Sequence, residues 1–475
     1  MQLAFLLALF VLGALFNLAV GPRRDGALVA ALAFPCGLAL WVIAALAAIA
    51  AGLPLTTGLA LGLLAGEILL FAAIAARRGL PPPGVLRPLG LLAGVFAVAT
   101  AALAITSAAK LSVDSHHILR LAHLLGRGAP LDETVAAYMS DRGVFTVLAY
   151  AAADLTGADF FYALAPVLGL SFALLFAVAG TRMARAAGAS PRAAVLAVAL
   201  ALAAGLTAFL PAYHLVYVHT NQGSAVYLLA FAACLWLAEA SDDPSPLAPA
   251  FLCLAAFSLH RVEAPLFAGL FIVMAIYPSR LPRRAIAVPF AAYTLFACAW
   301  LARLGAVAPA DSDFLSRSRA LALAAAIAAC FLAWPLVTAA PLRRLRRHIP
   351  ALVALLIAVA LAAAFAVRPD HMVTSAENLA RDLLGPALGA WGFTWWAVAF
   401  AAAVAALFLP PLATGRALFL AVPAAAALTL LLAYSRTPYR IGFGDSANRM
   451  FIHYLPLAIL YLVLKAAPHL TRDPR

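Results

Sequence analysis

Four short polar stretches hold most of the side chains in this chain that could do chemistry. Val113-Asp114-Ser115-His116-His117 opens the longest polar stretch of an otherwise apolar sequence. A carboxylate there can act as general base toward a hydroxyl if it reaches hydrogen-bonding distance in the bound complex. The competing reading is a helix cap, since Asp or Ser ahead of Ile118-Leu119 is a good N-cap, and the two readings are compatible. His116 and His117 stand beside the acid, but adjacent residues rarely chelate one ion together, so no metal site is expected. His260-Arg261-Val262-Glu263 sets a guanidinium two residues from a carboxylate. Such an Arg can hold a lipid phosphate while Glu263 orients it, or the pair can simply neutralise a buried turn. The stretch 434–449 carries Arg436, Arg440 and Arg449 with Asp445, and anion binding or headgroup contact would each explain three arginines there. Tyr213-His214 through Asn221-Gln222, with His219, offers flat rings for stacking and amides for hydroxyls, as sugar contacts do. An interfacial aromatic belt is the plainer reading of that stretch and the preferred one.

The elements that must carry these groups are membrane helices. The 475 residues are 66% hydrophobic and 11% charged, far from the half-apolar, quarter-charged balance of soluble domains. Apolar runs of helical-span length recur from end to end, without the short alternation of a barrel. We expect an all-α polytopic bundle of about fifteen membrane helices, including one short hairpin. The expected ranges are 1–20, 27–50, 55–76, 88–108, 160–181, 193–210, 223–240, 247–259, 264–277, 284–304, 319–340, 350–367, 388–409, 416–433 and 450–466. Residues 143–157 fit this order only as a surface or re-entrant helix. Residues 1–20 lack a basic leader and are followed by Arg23 and Arg24, which implies a retained first span with its N-terminus outside.

Sidedness follows from the basic clusters. With the N-terminus outside, Arg77-Arg78, Arg182-Arg185-Arg192, Arg280-Arg283-Arg284 and Arg343-Arg344-Arg346-Arg347 all fall inside, and the C-terminus is cytoplasmic. The polar segments 109–142, 211–222, 305–318, 368–387 and 434–449 then lie outside together and could roof one cavity. The pair 247–259 and 264–277 is too short to cross about 30 Å of hydrocarbon, so its Arg/Glu tip should end below the surface, in a pocket. Charges at that depth are kept mainly where they pair or bind.

The remaining features point away from other classes. A net charge of +13 comes from arginines at span ends rather than from one patch, which excludes nucleic acid as a partner. Cys36, Cys234, Cys253, Cys298 and Cys330 all sit in apolar runs and read as packing residues. No P-loop, dinucleotide fingerprint, HExxH or CxxC motif occurs, so no cofactor is expected. Glu67 lies mid-span beside Gly58, Gly62 and Gly66, whose spacing suggests close helix packing. Trp391, Trp395 and Trp396 read as interfacial anchors.

Three stretches together resemble the GT-C superfamily of membrane glycosyltransferases, whose donors are sugars linked to polyprenyl phosphate. Span 88–108 followed by an external loop with Asp114 resembles the family's first external loop and its catalytic carboxylate. His-Arg-Val-Glu at 260–263 is similar to the family's Arg/Glu turn. Residues 447–460, with Arg449 and a Pro-Leu run, look like the closing span. The resemblance divides the chain into accessory helices 1–87, a GT-C-like core 88–466 with external loop 109–142, and a cytoplasmic tail 467–475. The lone Asp, in place of an Asp-Glu or DxD pair, departs from the family.

The resemblance implies an inverting transfer from a polyprenyl-phosphate sugar to a hydroxyl of a glycan, lipid or protein. It would take place on the periplasmic face of a bacterial inner (plasma) membrane, in contact with membrane lipid and cell-envelope biosynthesis partners. Asp114 would be the base. Arg261, Glu263, Arg436, Arg440, Arg449, His116, His117 and His219 would hold the substrate and its lipid phosphate, without a metal. Three readings compete with it. A flippase or transporter of lipid-linked saccharides should show internal repeats, and none is visible. An O-antigen polymerase or ligase would carry its large external loop late in the chain. A GT-C fold that has lost catalysis would serve as a scaffold.

Overall fold

The computed structural model describes residues 1–79, 81–106, 109–130, 143–157, 162–307, 316–339, 343–385, 389–435 and 437–470. These are helical throughout, joined by turns, and the one extended pairing among them is an isolated bridge between Lys110 and Tyr217. Among the described residues, 11 helices are long and apolar enough to cross a membrane. Four of the expected spans fall on shorter helices, Pro191–Leu206, Leu247–Ser258, Ala264–Ile276 and Thr394–Phe408, so length alone does not carry the count to fifteen.

Burial sorts the helices into layers. Gly26–Ala50 and Thr220–Ser241 are buried along most of their length, and they pack with Leu164–Ala186 and Leu247–Ser258 to form the centre. Trp41 is fully enclosed there, its indole N–H donating to the Ala60 carbonyl at 3.2 Å. Tyr227 reaches from the second central helix to the Pro35 carbonyl of the first at 2.9 Å. Thr57–Arg77, Pro83–Thr106, Arg317–Val337 and Ile349–Val367 form an outer shell and present leucines and valines outward. In a chain this apolar, such side chains face lipid at no cost.

Two expectations change in depth. The segment expected as a surface or re-entrant helix, 143–157, contains Val144–Leu155, almost every residue of which is buried. It is a short interior helix rather than a surface one, and the N–H of its second residue, Phe145, donates to the Leu259 carbonyl at the hairpin tip at 3.1 Å. Gly143 precedes it with a φ of +73°, and a Cβ there would stand 2.2 Å from the His260 carbonyl. The hairpin tip and the interior helix therefore touch backbone to backbone. By contrast, a Cβ added at Gly58, Gly62 or Gly66 would meet nothing within 4 Å, so no described helix of this chain packs on that stripe. Glu67 beside it keeps a buried, unpaired Oε2, and the helix-packing role expected for this stripe finds no partner among the described residues.

Candidate functional site

The site is built at one end of the bundle, where five separate elements deliver polar side chains. The first is the helix Val113–Gly126. Its N-cap is Ser112 rather than Asp114, since the Ser112 N–H donates to Ser115 Oγ at 3.1 Å in a reciprocal cap. Asp114 is thereby left in the first turn with its carboxylate available to other partners. The turn is anchored on the loop 215–219. The Lys110 N–H donates to the Val216 carbonyl (2.9 Å), the Val218 N–H donates to the Lys110 carbonyl (3.1 Å), and Ser115 Oγ donates to the Val218 carbonyl (2.8 Å). The Ser112 and Tyr217 hydroxyls also bond to each other. This clamp fixes Asp114 opposite His219.

The second and third elements are that loop and the first turn of Thr220–Ser241. His219 is the N-cap of this helix and Asn221 lies in its first turn. Tyr217 stacks on His219, centroids 5.3 Å apart at 19°, and is buried. The plainer reading of this stretch as an interfacial belt therefore fails at Tyr217, which supports the site from inside. The fourth element is the hairpin tip. His260 is buried and stacks on Phe145 at 4.2 Å, and a Cβ on Gly223 would come within 2.2 Å of its Nε2. That enclosure holds the turn that carries Arg261 and Glu263. The fifth is the closing helix Ser446–Ala466, started by Asp445, whose Oδ1 accepts the Ala447 N–H at 2.8 Å. Arg449 and His453 lie on it four residues apart and so on one face.

These side chains form one connected network. Arg449 Nη1 donates to Asp114 Oδ2 at 2.7 Å and lies 3.2 Å from His219 Nε2. His219 Nε2 is 3.6 Å from the same carboxylate oxygen. His219 Nδ1 is 2.9 Å from Asn221 Nδ2, and Asn221 Oδ1 is 3.2 Å from both Arg261 Nη1 and His453 Nε2. Arg261 closes the chain on Glu263, with Nε and Nη2 at 2.8 and 2.6 Å from Oε1. Two cations and two carboxylates thus neutralise one another in a largely buried space, as charges removed from water must. Asp114 keeps 22% of its side-chain surface open, so the carboxylate is not sealed off. Burial, and next the Arg449 guanidinium, push the His219 imidazole down to about 3, so the ring is neutral at ordinary pH. Arg449 Nε is buried and has no hydrogen-bond partner among the described residues. A small, mainly apolar cavity lies alongside, where Phe145, Leu164 and Leu168 face Tyr217, His219 and His260. It has room for about one water.

The expected site residues divide cleanly. Asp114, His219, Arg261, Glu263 and Arg449 come together. His116 is exposed and His117 half-buried on the same helix as Asp114, and neither takes part in the bonds above. Arg440 is exposed, and its backbone N–H donates to Asp445 Oδ2 at 3.1 Å, so it shapes the turn before the closing helix instead of entering the site. Arg436 lies outside the described residues. Trp391 is not an interfacial anchor: it is fully buried and bonds Asn448. Trp395 is half-buried with its indole nitrogen enclosed, and Trp396 alone of the three is largely exposed. Asn221 and His453 complete the network. Asn221 belongs to the stretch whose amides offered sugar contacts in the sequence, a reading ranked there below an interfacial belt. His453 does not stand out in the sequence; its signal is its place one helical turn after Arg449. No family model, curated protein or solved structure matches this chain.

Proposed function

We propose that this chain is an inverting glycosyltransferase of the GT-C type, moving a sugar from a polyprenyl-phosphate donor to a hydroxyl acceptor at the external face of a bacterial plasma membrane. The observation that carries the reading is the convergence of Asp114, Arg449, His219 and Arg261 from distant parts of the chain into one buried network at one end of a membrane helix bundle. A partly open carboxylate beside two sheltered guanidinium groups is what a base next to a phosphate leaving group requires. Thr220–Ser241 and Ser446–Ala466 also direct their N-termini at this point, which favours negative charge there. An apolar recess lined by Phe172, Phe176, Leu202, Leu215, Ile452 and Ile459 runs up to Gln222, next to Asn221. It suits the lipid end of such a donor.

In this reading Asp114 takes the proton of the acceptor hydroxyl, and that oxygen bonds to the anomeric carbon. The bond from that carbon to the phosphate oxygen breaks on the opposite face, and the electron pair leaves on the polyprenyl phosphate. Arg261 and Arg449 then exchange part of their pairing with Glu263 and Asp114 for the phosphate. A phosphate leaves without needing a proton, so one base with cationic stabilisation is sufficient chemistry. The test is turnover of a panel of polyprenyl-phosphate sugars by purified protein in lipid, with sugar, lipid and peptide acceptors. Asp114→Asn should lower turnover by about 10²–10⁴-fold while the protein still accumulates in the membrane. Turnover by neither protein across the panel would overturn the proposal.

A further inference from the structure

The apolar recess beside the site ends on a single polar side chain. Its wall includes Phe172, Phe176, Leu202, Leu215 and Ile459, and among the described residues Gln222 is the one polar residue that lines it. Gln222 is 4% exposed, and its Nε2 is buried with no hydrogen-bond partner among the described residues. A buried amide nitrogen without an acceptor is costly, so its place at the end of an apolar recess points to a ligand that brings one. Gln222 also lines the small cavity together with His219. Two further buried atoms around that ring lack a partner among the described residues, Arg449 Nε and His214 Nδ1. Arg449 Nη1 is 3.2 Å from His219 Nε2, and the His214 ring meets His219 edge-on with centroids 6.0 Å apart. The recess and these polar groups share helices. Arg449, Ile452, Pro456 and Ile459 follow one another at spacings of three and four on the closing helix, so one face runs from a guanidinium into the recess wall. Gln222 and Ala225 do the same on Thr220–Ser241, whose N-cap, His219, makes no side-chain cap bond.

We infer that Gln222 recognises the phosphate head of an isoprenoid lipid phosphate whose chain enters the recess. The walls set the polarity of the occupant. It has an apolar body, and its acceptor oxygens lie at the end where a guanidinium and the start of a long helix favour negative charge. Its class follows from how abruptly the wall changes. A glycerophospholipid carries a glycerol and two ester groups between its chains and its phosphate, and no second polar side chain among the described residues lines the recess to receive them. A polyprenyl phosphate joins its chain directly to a phosphate oxygen, and here the apolar wall meets Gln222 directly. The inference rests on the glycosyltransferase reading for the identity of this lipid as the carrier of the donor sugar. It adds to that reading a neutral hydrogen-bond donor that binds the lipid phosphate without breaking an ion pair, as Arg261 and Arg449 must.

The experiment uses full-length protein in phosphatidylcholine nanodiscs, titrated with labelled polyprenyl phosphate. The matching polyprenol, phosphatidic acid and inorganic phosphate serve as competitors. The unaltered protein should bind polyprenyl phosphate saturably. Polyprenol and phosphatidic acid should each compete at least about tenfold more weakly, and inorganic phosphate should not compete in the same range. Gln222→Met keeps the length of the side chain and loses the donor. It should weaken polyprenyl phosphate by about 10–100-fold, the size of one hydrogen bond to a charged group, and polyprenol by much less. Gly205→Leu tests the recess itself, since a Cβ there already stands 2.9 Å from Ile459 Cδ1, and it should weaken the phosphate and the alcohol alike. Unchanged affinity for polyprenyl phosphate in Gln222→Met overturns the inference and leaves a water in the small cavity as the partner of the amide. Polyprenol or phosphatidic acid binding as tightly as polyprenyl phosphate also overturns it, without any variant having to fold. If binding behaves as expected and no donor is turned over, the glycosyltransferase reading falls alone. If donor is turned over with the same KM by the unaltered protein and by Gln222→Met, the inference falls alone.

Discussion

Two polar clusters share this end of the molecule, and they bond in opposite ways. In the Asp114–Arg449–His219–Asn221–Arg261–Glu263 network side chains bond to side chains. A few residues away, around the turn 439–446, side chains bond to backbone. Asp382 Oδ1 accepts the Gly442 N–H at 2.8 Å, Asn378 donates to the Tyr439 carbonyl at 2.7 Å, and Asn448 donates to the Gly389 carbonyl at 3.1 Å. The second pattern satisfies backbone groups that no regular element satisfies and so specifies a chain path. The first ties side chains to one another. Buried charge pairs of that kind contribute little net stability against an apolar replacement, so a network made of them is better explained by what it can bind or transfer. The arginine-rich stretch 434–449 is divided between the two: Arg449 joins the network, Arg440 the turn.

The sharpest way to break this comparison is to remove one charge of the network. Arg449→Ala leaves Asp114 in a partly enclosed site without its nearest cation, and should destabilise the protein by about 3–5 kcal/mol as well as abolish donor turnover. The double variant Asp114→Asn with Arg449→Met removes both charges and should recover most of the stability but none of the turnover. Thermal unfolding in lipid, read beside the turnover assay, separates the two. Full stability in Arg449→Ala would mean that the pair is solvated, and the contrast between the clusters would disappear.

Which groups meet is only partly legible in the sequence. The residue types are: an acid at the head of a polar stretch, an Arg/Glu turn in a hairpin too short to span, and a polar stretch with three arginines before the last apolar run all point to Asp114, Arg261, Glu263 and Arg449. Their convergence is not, because Asp114 and Arg449 are 335 positions apart. A backbone bridge from Lys110 to Tyr217 holds the Asp114 turn against His219, and the packing of Ser446–Ala466 on Thr220–Ser241 brings Arg449 to the same point; neither leaves a mark in composition. Depth is equally hidden. The interior helix Val144–Leu155 and the buried Trp391 have the same residue types as a surface helix and an interfacial belt, since both settings want apolar bodies with a polar edge. The apolar spans are plain because the bilayer demands length and hydrophobicity of each one locally.

A smaller effect is expected in the second cluster, and it depends on pH. Burial pushes the Asp382 carboxyl up to about 6, against the lowering effect of the Gly442 N–H and with a further rise from Asp445. Between the ordinary carboxylate range and about 6 the folded protein thus holds a proton that the unfolded chain has released. Stability falls as pH rises through that window. Asp382→Asn keeps an oxygen for the Gly442 N–H and removes the buried charge. It should flatten the pH dependence of unfolding between about pH 4 and 6 and raise Tm above about pH 7 by a small amount, on the order of 1–2 °C. Turnover at neutral pH should be unchanged. A loss of turnover as large as that of Asp114→Asn would join the two clusters into one functional unit.

The smallest effect should come from Arg440, and it is the most exacting test of the division within 434–449. By composition Arg440 and Arg449 have equal claim to an anion. In the structure Arg440 is exposed and contributes its backbone N–H to Asp445 Oδ2 at 3.1 Å, a bond that any residue other than proline can make. Arg440→Ala therefore keeps the turn, and with it the Asp445 cap that starts the closing helix and places Arg449. Its cost should stay within about 0.5 kcal/mol, as for an ordinary surface substitution, and donor KM should not move. Arg440→Pro also removes that N–H, and should do more harm than the loss of the charge alone. If Arg440→Ala instead raised donor KM, then the exposed arginine would be part of the anion path, and the boundary between binding network and supporting turn would have to be redrawn to include it.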